Sequence, residues 1–257
     1  MHETPRFAFE RDGSLSIAAP EGPLVLRWRR SERAGRLCLR NGAKGLELVV
    51  PRWASLAEAG RFAFTHAGWI ARQLDRYPPP TVVAAGLEVP FLGERLVVVH
   101  RTDAGARGPA GERVAWVETG ALHVRGEAAH LPRRVEDFLR EQARLRLGAL
   151  AREKGAALGR QPARITVRDA ATRWGSCSVS GAISFCWRLV MAPPPVMDYV
   201  AAHEVAHLAH MNHGPRFWRT CARLLADGDG DGQRRIERAR AWLRHHGPAL
   251  HAVRFRA

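Results

Sequence analysis

The chain has 257 residues, 46% of them apolar, which is enough for one large or two modest domains with a real core and excludes an unfolded chain. Its 40 Lys and Arg against 25 Asp and Glu leave a formal net charge of +15, carried almost wholly by arginine because Lys44 and Lys154 are the only lysines. Such a field attracts polyanions, nucleic acid among them, without identifying one.

No apolar run reaches the ~18 residues of a membrane span, and the start MHETPRFAFERDG lacks the basic end and apolar stretch of a secretory signal. A cytoplasmic protein without a membrane partner is expected. Cys38, Cys177, Cys186 and Cys221 show no C-x-x-C spacing, so neither a thiolate metal site nor a disulfide framework is indicated. Buried thiols are expected, and a Cys177–Cys186 pairing across a hairpin would be incidental in a reducing compartment.

In chain order, residues 7 to 50 alternate as strands do, at Phe7–Phe9, Leu24–Trp28, Leu37–Leu39 and Leu46–Val50, broken by Asp12-Gly13, Glu21-Gly22 and Asn41-Gly42. Period-two patterning with these turns predicts an antiparallel meander. Ser55 is placed to cap a helix through about Leu74, ended by Pro78-Pro79-Pro80. Short strands at Gly86–Pro90, Glu94–His100, Arg113–Glu118 and Ala121–Val124 follow, with Thr102–Gly111 as a loop. His66, His100, His123 and His130 lack ligand spacing and read as surface or packing residues.

Near Pro132 the character changes. A long helix is predicted from Val135 to about Leu158, apolar at Phe138, Leu145 and Leu147 and rich in arginine elsewhere, closed by Gly159 and Pro162. Strands at Ile165–Val167 and Ile183–Leu189 come next, joined through Trp174–Cys177 and Ser180-Gly181. Pro193-Pro194-Pro195 opens a further helix, as proline in a first turn can. These patterns predict an α+β protein in two parts, an antiparallel β-rich module over residues 1–130 and a compact catalytic unit over 131–257.

That last helix carries His203, Glu204 and His207 as H-E-x-x-H. Four positions are a little over one helical turn, so both imidazoles leave one face and can grip one ion, while Glu204 is placed to take a proton from water there. A tetrahedral catalytic zinc wants three protein ligands and an open position. His210 lies on nearly the same face as His203 but ~10.5 Å along the axis, out of reach of a shared ion on a straight helix. His213 follows Asn212, which can end a helix, and precedes Gly214-Pro215, which forbids its continuation. The expected site is one zinc per chain on His203, His207 and His213, with Glu204 as general base and His210 as a polar neighbour. Val196, Val200 and Leu208 are expected to bury that helix.

After the site, Arg216–Leu225 reads as a helix with Phe217 and Trp218 packed under the metal helix, and Arg234–His245 as a last helix ending at Gly247-Pro248. The run Asp227 to Gly232 begins like a calcium loop, but its twelfth position is Arg238 and Glu237 falls one short of the bidentate place. An exposed acidic turn is expected instead.

The run Thr172–Cys177, then Ile183–Leu189, then Asp198-Tyr199-Val200 leading into H-E-x-x-H, His213 and Phe217-Trp218, resembles the YgjP-like metallopeptidase family and, more distantly, the SprT-like minimal zincins. Arg29-Arg30-Ser31, Trp69-Ile70 and Pro90–Gly93 extend the resemblance over nearly the whole chain. The resemblance implies a zincin-like catalytic domain with those same ligands and base. It also implies that Arg173 to Cys177 lies close to the active site, and that the strand ending near Leu189 forms a cleft edge for an extended peptide. Arg173 is then a candidate oxyanion or substrate-carboxylate contact, or a buried structural arginine, and Trp174 and His210 are candidate substrate neighbours. The chain departs from metzincins in having His210 where they carry Gly, and no Met follows His213 to form a Met-turn.

Three functions follow. The leading one is zinc-dependent hydrolysis of a peptide bond in a peptide or protein substrate. A metal-dependent nucleotide or phosphoanhydride hydrolase is motivated by the charge, although phosphoryl chemistry commonly uses carboxylate-rich sites. The last is a basic nucleic-acid-binding adaptor whose metal is structural, which would need a fourth protein ligand.

Overall fold

Leu15 and Ile17, Leu26, and Leu46 and Leu48 are buried on alternate positions of their strands, and in the computed structural model they line one face of a five-stranded sheet. The structure describes residues 7–20, 22–42, 45–76, 81–102, 114–226 and 230–256, and the chain divides into two compact units, Met1–Thr81 and Val82–Ala257. Pro78–Pro80, residues 103–111 of the expected loop, Arg113 of an expected strand and residues 227–229 of the acidic turn lie outside the described residues.

In the first unit β1 (Phe7–Phe9), β2 (Ser14–Ile17), β3 (Leu24–Ser31), β4 (Cys38–Gly42) and β5 (Gly45–Pro51) stand in the order β1-β2-β3-β5-β4. The expected meander holds for β1 to β3, but β5 inserts beside β3 in parallel and pushes β4 to the edge. Turn residues fix a hairpin locally; they do not say which strand lies next to β3. Ser55 caps α1 (Leu56–Thr65) in a reciprocal capping box, its hydroxyl accepting from the Glu58 N–H at 3.2 Å. The single helix expected through Leu74 is two, because α1 stops at His66 and α2 (Ala67–Arg76) starts afresh. Ala59, Ala63 and Ile70 bury these helices in the first unit's core.

The second unit begins at the second residue of β6 (Thr81–Val82) and continues with β7 (Glu88–Phe91), β8 (Glu94–Arg101), β9 (Ala115–Glu118) and β10 (Ala121–Arg125), the last four forming a sheet in the order β7-β8-β10-β9 with β8 and β10 parallel. The expected boundary after residue 130 is not where the chain divides. Val89, Leu96, Val98, Leu122 and Val124 share one core with the long helix, so this sheet belongs with the catalytic part.

That helix, α3 (Leu131–Leu158), begins four residues before Val135 because Pro132 is tolerated in its first turn. Leu131, Val135, Leu139, Ala143, Leu147 and Ala151 are buried at a spacing of four and make its inner stripe. Leu145, expected on that stripe, is 50% exposed. Arg133, Arg140 and Arg144 pair with Asp137, Glu136 and Glu141 on the helix itself, which leaves less free charge there than the sequence suggests. At the other end the buried Lys154 meets Asp198 at 2.6 Å and the Leu224 carbonyl at 2.9 Å, tying α3 to the two helices that follow. Gly159 ends α3 in the left-handed conformation, at φ 72°.

β11 (Arg164–Arg168), β12 (Gly175–Cys177) and β13 (Ala182–Cys186) form a small sheet in the order β11-β13-β12. β13 ends at Cys186, short of the expected Leu189, and Trp187–Met191 coils into a 3-10 turn. All four cysteines are free, and Cys177 stands opposite Ile183, not Cys186. α4 (Pro194–Ala206), α5 (Pro215–Leu225) and α6 (Gly232–Ala252) complete the unit, with β14 (Val253–Arg254) paired to β6. α6 runs past the expected stop at Gly247-Pro248, since Gly247 and Leu250 are buried and tertiary packing holds the helix through the proline. No helix among the described residues is long and apolar enough to cross a membrane.

Arg188, only 4% exposed, anchors the C-terminus. It pairs with Asp169 at 2.9 Å and donates to the Leu250 and Val253 carbonyls, each at 2.9 Å. Arg188→Met is expected to lower the unfolding free energy by about 2–3 kcal/mol, because two inward carbonyls and a partly exposed carboxylate lose their donor. Urea unfolding of the two proteins tests this, and an unchanged midpoint would refute it.

Candidate active site

α4 is buried almost all round, with Tyr199, Val200, Ala201, Ala202, Val205 and Ala206 inside, so His203 and Glu204 emerge into a lined cleft and not onto an open surface. Val196 and Val200 are buried as expected, and Leu208 is partly so. The helix ends at Ala206, with His207 as its C-cap, well before the expected stop at Asn212. The chain then turns through residues 207–209 and returns His213 at the threshold of α5.

The predicted triad assembles. One ring nitrogen from each of His203, His207 and His213 lies within 4.8 Å of the others. His203 Nε2 and His213 Nε2 approach to 3.1 Å, a distance at which two lone pairs repel unless a proton or a cation lies between them. Two nitrogens of a tetrahedral site with ~2.0–2.1 Å bonds would stand about 3.3 Å apart, so the His203–His213 pair is spaced as such an ion needs, with His207 within reach of it. His207 Nδ1 donates to the His210 carbonyl at 3.1 Å, which fixes that ring's tautomer and leaves Nε2 as its donor atom. His210 thus meets the cluster through its backbone carbonyl, and its imidazole is not among the three that converge.

His203 Nδ1 is buried and, among the described residues, without a hydrogen-bond partner. Aromatic packing holds this ring instead, with Tyr199 at 5.8 Å, Phe217 at 4.9 Å and Trp218 at 5.9 Å between centroids. Phe217 is wholly buried and also touches His207 and His213, each at 4.6 Å, so it is the floor under all three imidazoles. The packing expected of Phe217 and Trp218 is what the structure has. An all-imidazole donor set suits a borderline divalent metal better than magnesium or calcium.

Glu204 is 5% exposed, and its carboxylate makes no hydrogen bond among the described residues. Burial pushes its pKa up to about 8, with the Arg173 charge acting weakly the other way. A carboxylate so raised is a strong proton acceptor near neutrality. Its atoms lie against the α-carbon of Gly175 on β12, where an added Cβ would fall 2.4 Å from Glu204 Oε1. Burial and the Glu204 charge push the Cys177 thiol up to about 11, which removes it as a nucleophile.

Arg173 is exposed, so the reading as a buried structural arginine fails, and its effect on Glu204 keeps it beside the cleft. Trp174 packs on His251 at 4.9 Å and lines the cavity next to His203 and Glu204. The expectation that the strand ending near Leu189 forms the cleft edge is corrected: β13 is the central strand, paired on both sides, and β12 is the edge nearest α4. Alternation alone cannot tell a central strand from an edge. Sequence reading also missed Arg240, Leu243 and Arg244 on α6, which line the same cavity but are far from the motif in the chain.

Burial also pushes the His203 pKa down to about 3 from an ordinary 6.5. Between those values the unfolded chain holds a proton that the folded chain lacks, so this group makes stability rise with pH. Glu204 acts oppositely between its ordinary 4.5 and about 8, where the folded chain holds the extra proton. Above pH 6.5 only the Glu204 effect remains of the two. Metal-free protein is therefore expected to lose stability from pH 6.5 to 8, and Glu204→Gln to remove that loss; denaturant unfolding at the two pH values tests it, and equal slopes would contradict it.

A family model described as YgjP-like, metallopeptidase domain, matches residues 36–246. Among solved structures, the crystal structure of the zymogen of the metallopeptidase abylysin from Pyrococcus abyssi is similar at 20% identity and a TM-score of 0.33, over 39% of this chain and 97% of that one. Comparison with curated proteins found no match.

Proposed function

Because the chain belongs to the YgjP-like family through its metallopeptidase domain, we propose that it hydrolyses peptide bonds with one zinc ion held by His203, His207 and His213 and with Glu204 as general base. The family supports a metal-dependent peptidase. The observation that carries it is the convergence of three imidazole nitrogens beside a buried carboxylate that has no hydrogen-bond partner among the described residues.

When bound, the ion would polarise the scissile carbonyl and acidify an attacking water. The chain's own residues supply the rest. Glu204 accepts the proton of the attacking water and returns it to the leaving amine, and its raised pKa suits both steps near neutral pH. The edge strand β12 offers backbone groups beside which an extended peptide can lie, two residues from Arg173 and against Glu204. Arg173 is free to approach a carbonyl oxygen that gains charge during the reaction. The aromatic floor of Phe217 excludes water from beneath the imidazoles.

Incubating the zinc-loaded protein with a peptide mixture and mapping products by mass spectrometry tests the reading. New peptide termini that vanish in Glu204→Gln support it. Release of phosphate from nucleoside triphosphates, with peptides left intact, would overturn it.

A further inference from the structure

On the side of α4 that carries Tyr199, His203 and Glu204, a cavity of about 390 Å³ opens between that helix, β12 and α6. Its α6 wall presents Arg240, Leu243 and Arg244. Arg240 and Arg244 are one turn apart and share a helix face. Arg240 lies over the Trp218 ring at 5.2 Å, but neither arginine has a carboxylate partner among the described residues.

Among the described residues Arg29, Arg40, Arg52, Arg95, Arg133, Arg140, Arg144, Arg188 and Arg234 pair with acids, whereas many other arginines do not; Arg240 and Arg244 are set apart by lining one cavity together. Among the described residues Glu204 is the only acidic one lining the cavity. The remaining lining is uncharged or apolar: Trp174, Gly175, Tyr199, Val200 and Leu243 surround the opening, and the Tyr199 hydroxyl has no hydrogen-bond partner among the described residues. Two unpaired guanidinium groups and a free hydroxyl at the mouth of a partly apolar cavity are a receptor for an anionic group with a short carbon stem.

We infer that this cavity is a substrate subsite that binds a carboxylate of the peptide next to the scissile bond, with Arg240 and Arg244 as its specificity-determining residues. The inference rests on the peptidase reading for its substrate, while the preference for an anion rests on the cavity itself. The carboxylate has two sources, the side chain of Asp or Glu within a chain or the free C-terminus of a peptide. The first makes the protein an endopeptidase selective for acidic residues; the second makes it trim C-termini. Arg240 and Arg244 touch the substrate and leave the ion and Glu204 to the chemistry.

The test uses the zinc-loaded protein with three labelled heptapeptides. One has a central Glu and blocked ends, the second has Gln in its place, and the third has Gln and a free C-terminus. Cleavage is followed with the parent protein, and binding by fluorescence anisotropy with inactive Glu204→Gln and with Arg244→Glu made in that background.

The expected result is tighter binding of one carboxylate-bearing peptide than of the blocked Gln peptide by about 10- to 100-fold, the worth of a charge-assisted contact. Which peptide gains identifies the source of the carboxylate. Arg244→Glu should abolish the gain and favour a peptide with a central Lys, a reversal that loss of fold would not produce; circular dichroism and metal content confirm that the variant is intact. Equal binding of all three peptides, or a gain that survives Arg244→Glu, overturns the inference. Displacement of the Glu peptide by UTP or ATP at lower concentration than by glutamate peptides also overturns it, since the anion would then be a phosphate. Selective binding without cleavage leaves the subsite standing and counts against the peptidase reading, whereas cleavage without selectivity does the reverse.

Discussion

Replacing Glu204 by Gln is expected to reduce kcat on a cleavable peptide by about 10²–10⁴-fold while metal content stays at that of the parent. Glutamine keeps the shape of the side chain, so the buried surroundings of α4 are little disturbed. It cannot accept a proton from water. The native carboxylate can, because burial pushes its pKa up to about 8 and among the described residues no hydrogen bond competes for its oxygens. The three imidazoles do not depend on Glu204 for orientation: His207 is fixed by the His210 carbonyl and His203 by its aromatic neighbours. Metal analysis and steady-state kinetics on one preparation separate the two properties. Turnover within about tenfold of the parent would remove Glu204 from the chemistry.

Gly175→Ala is expected to cost about 10²-fold in kcat although residue 175 bears no functional group. A Cβ there would lie 2.4 Å from Glu204 Oε1, 2.6 Å from Cγ and 2.7 Å from Cδ. These distances are too short to persist, and the atoms that must yield are the end of a flexible side chain. The fold should survive with a loss of about 1–2 kcal/mol, as for mild overpacking, while the carboxylate moves by the order of an ångström. Metal binding should be largely retained, since the three atoms nearest the new methyl group all belong to Glu204 and none to an imidazole. Kinetics, metal content and thermal unfolding together check this. Full activity with an intact fold would mean that the base tolerates displacement.

The convergence of the three imidazoles was legible in the sequence because its geometry is local. His203 and His207 are one helical turn apart, and Asn212 to Pro215 announces a chain reversal that brings His213 back. Helical rise excludes His210 only if the helix runs through that residue, which it does not, although its imidazole does stand outside the converging three. What was misjudged there is where the helix ends. It stops at Ala206, because the turn through residues 207–209 is set by tertiary contacts, including Arg160 donating to the Leu208 carbonyl at 2.6 Å. No propensity in that stretch predicts such a partner.

Features that depend on distant pairing were not legible. The parallel insertions of β5 beside β3 and of β10 beside β8 leave the period-two pattern unchanged, so a meander and a crossover read alike. The same holds for β13, whose apolar run is that of a central strand and was assigned to a cleft edge. α6 was cut short at Gly247-Pro248 because local rules stop a helix there, while burial of Gly247 against Trp174 and of Leu250 in the core carries it onward. That extension matters to the site: α6 supplies the Arg240–Arg244 wall, with no motif to mark it.

The central claim is that His203, His207 and His213 hold one catalytic zinc with a coordination position left open. Elemental analysis and X-ray absorption on protein purified without added metal test it most directly. One zinc per chain with three nitrogen donors and one oxygen donor from solvent, lost in His213→Ala, is the predicted result. A shell closed by a fourth protein ligand, or stoichiometric metal that survives loss of His213, would contradict it.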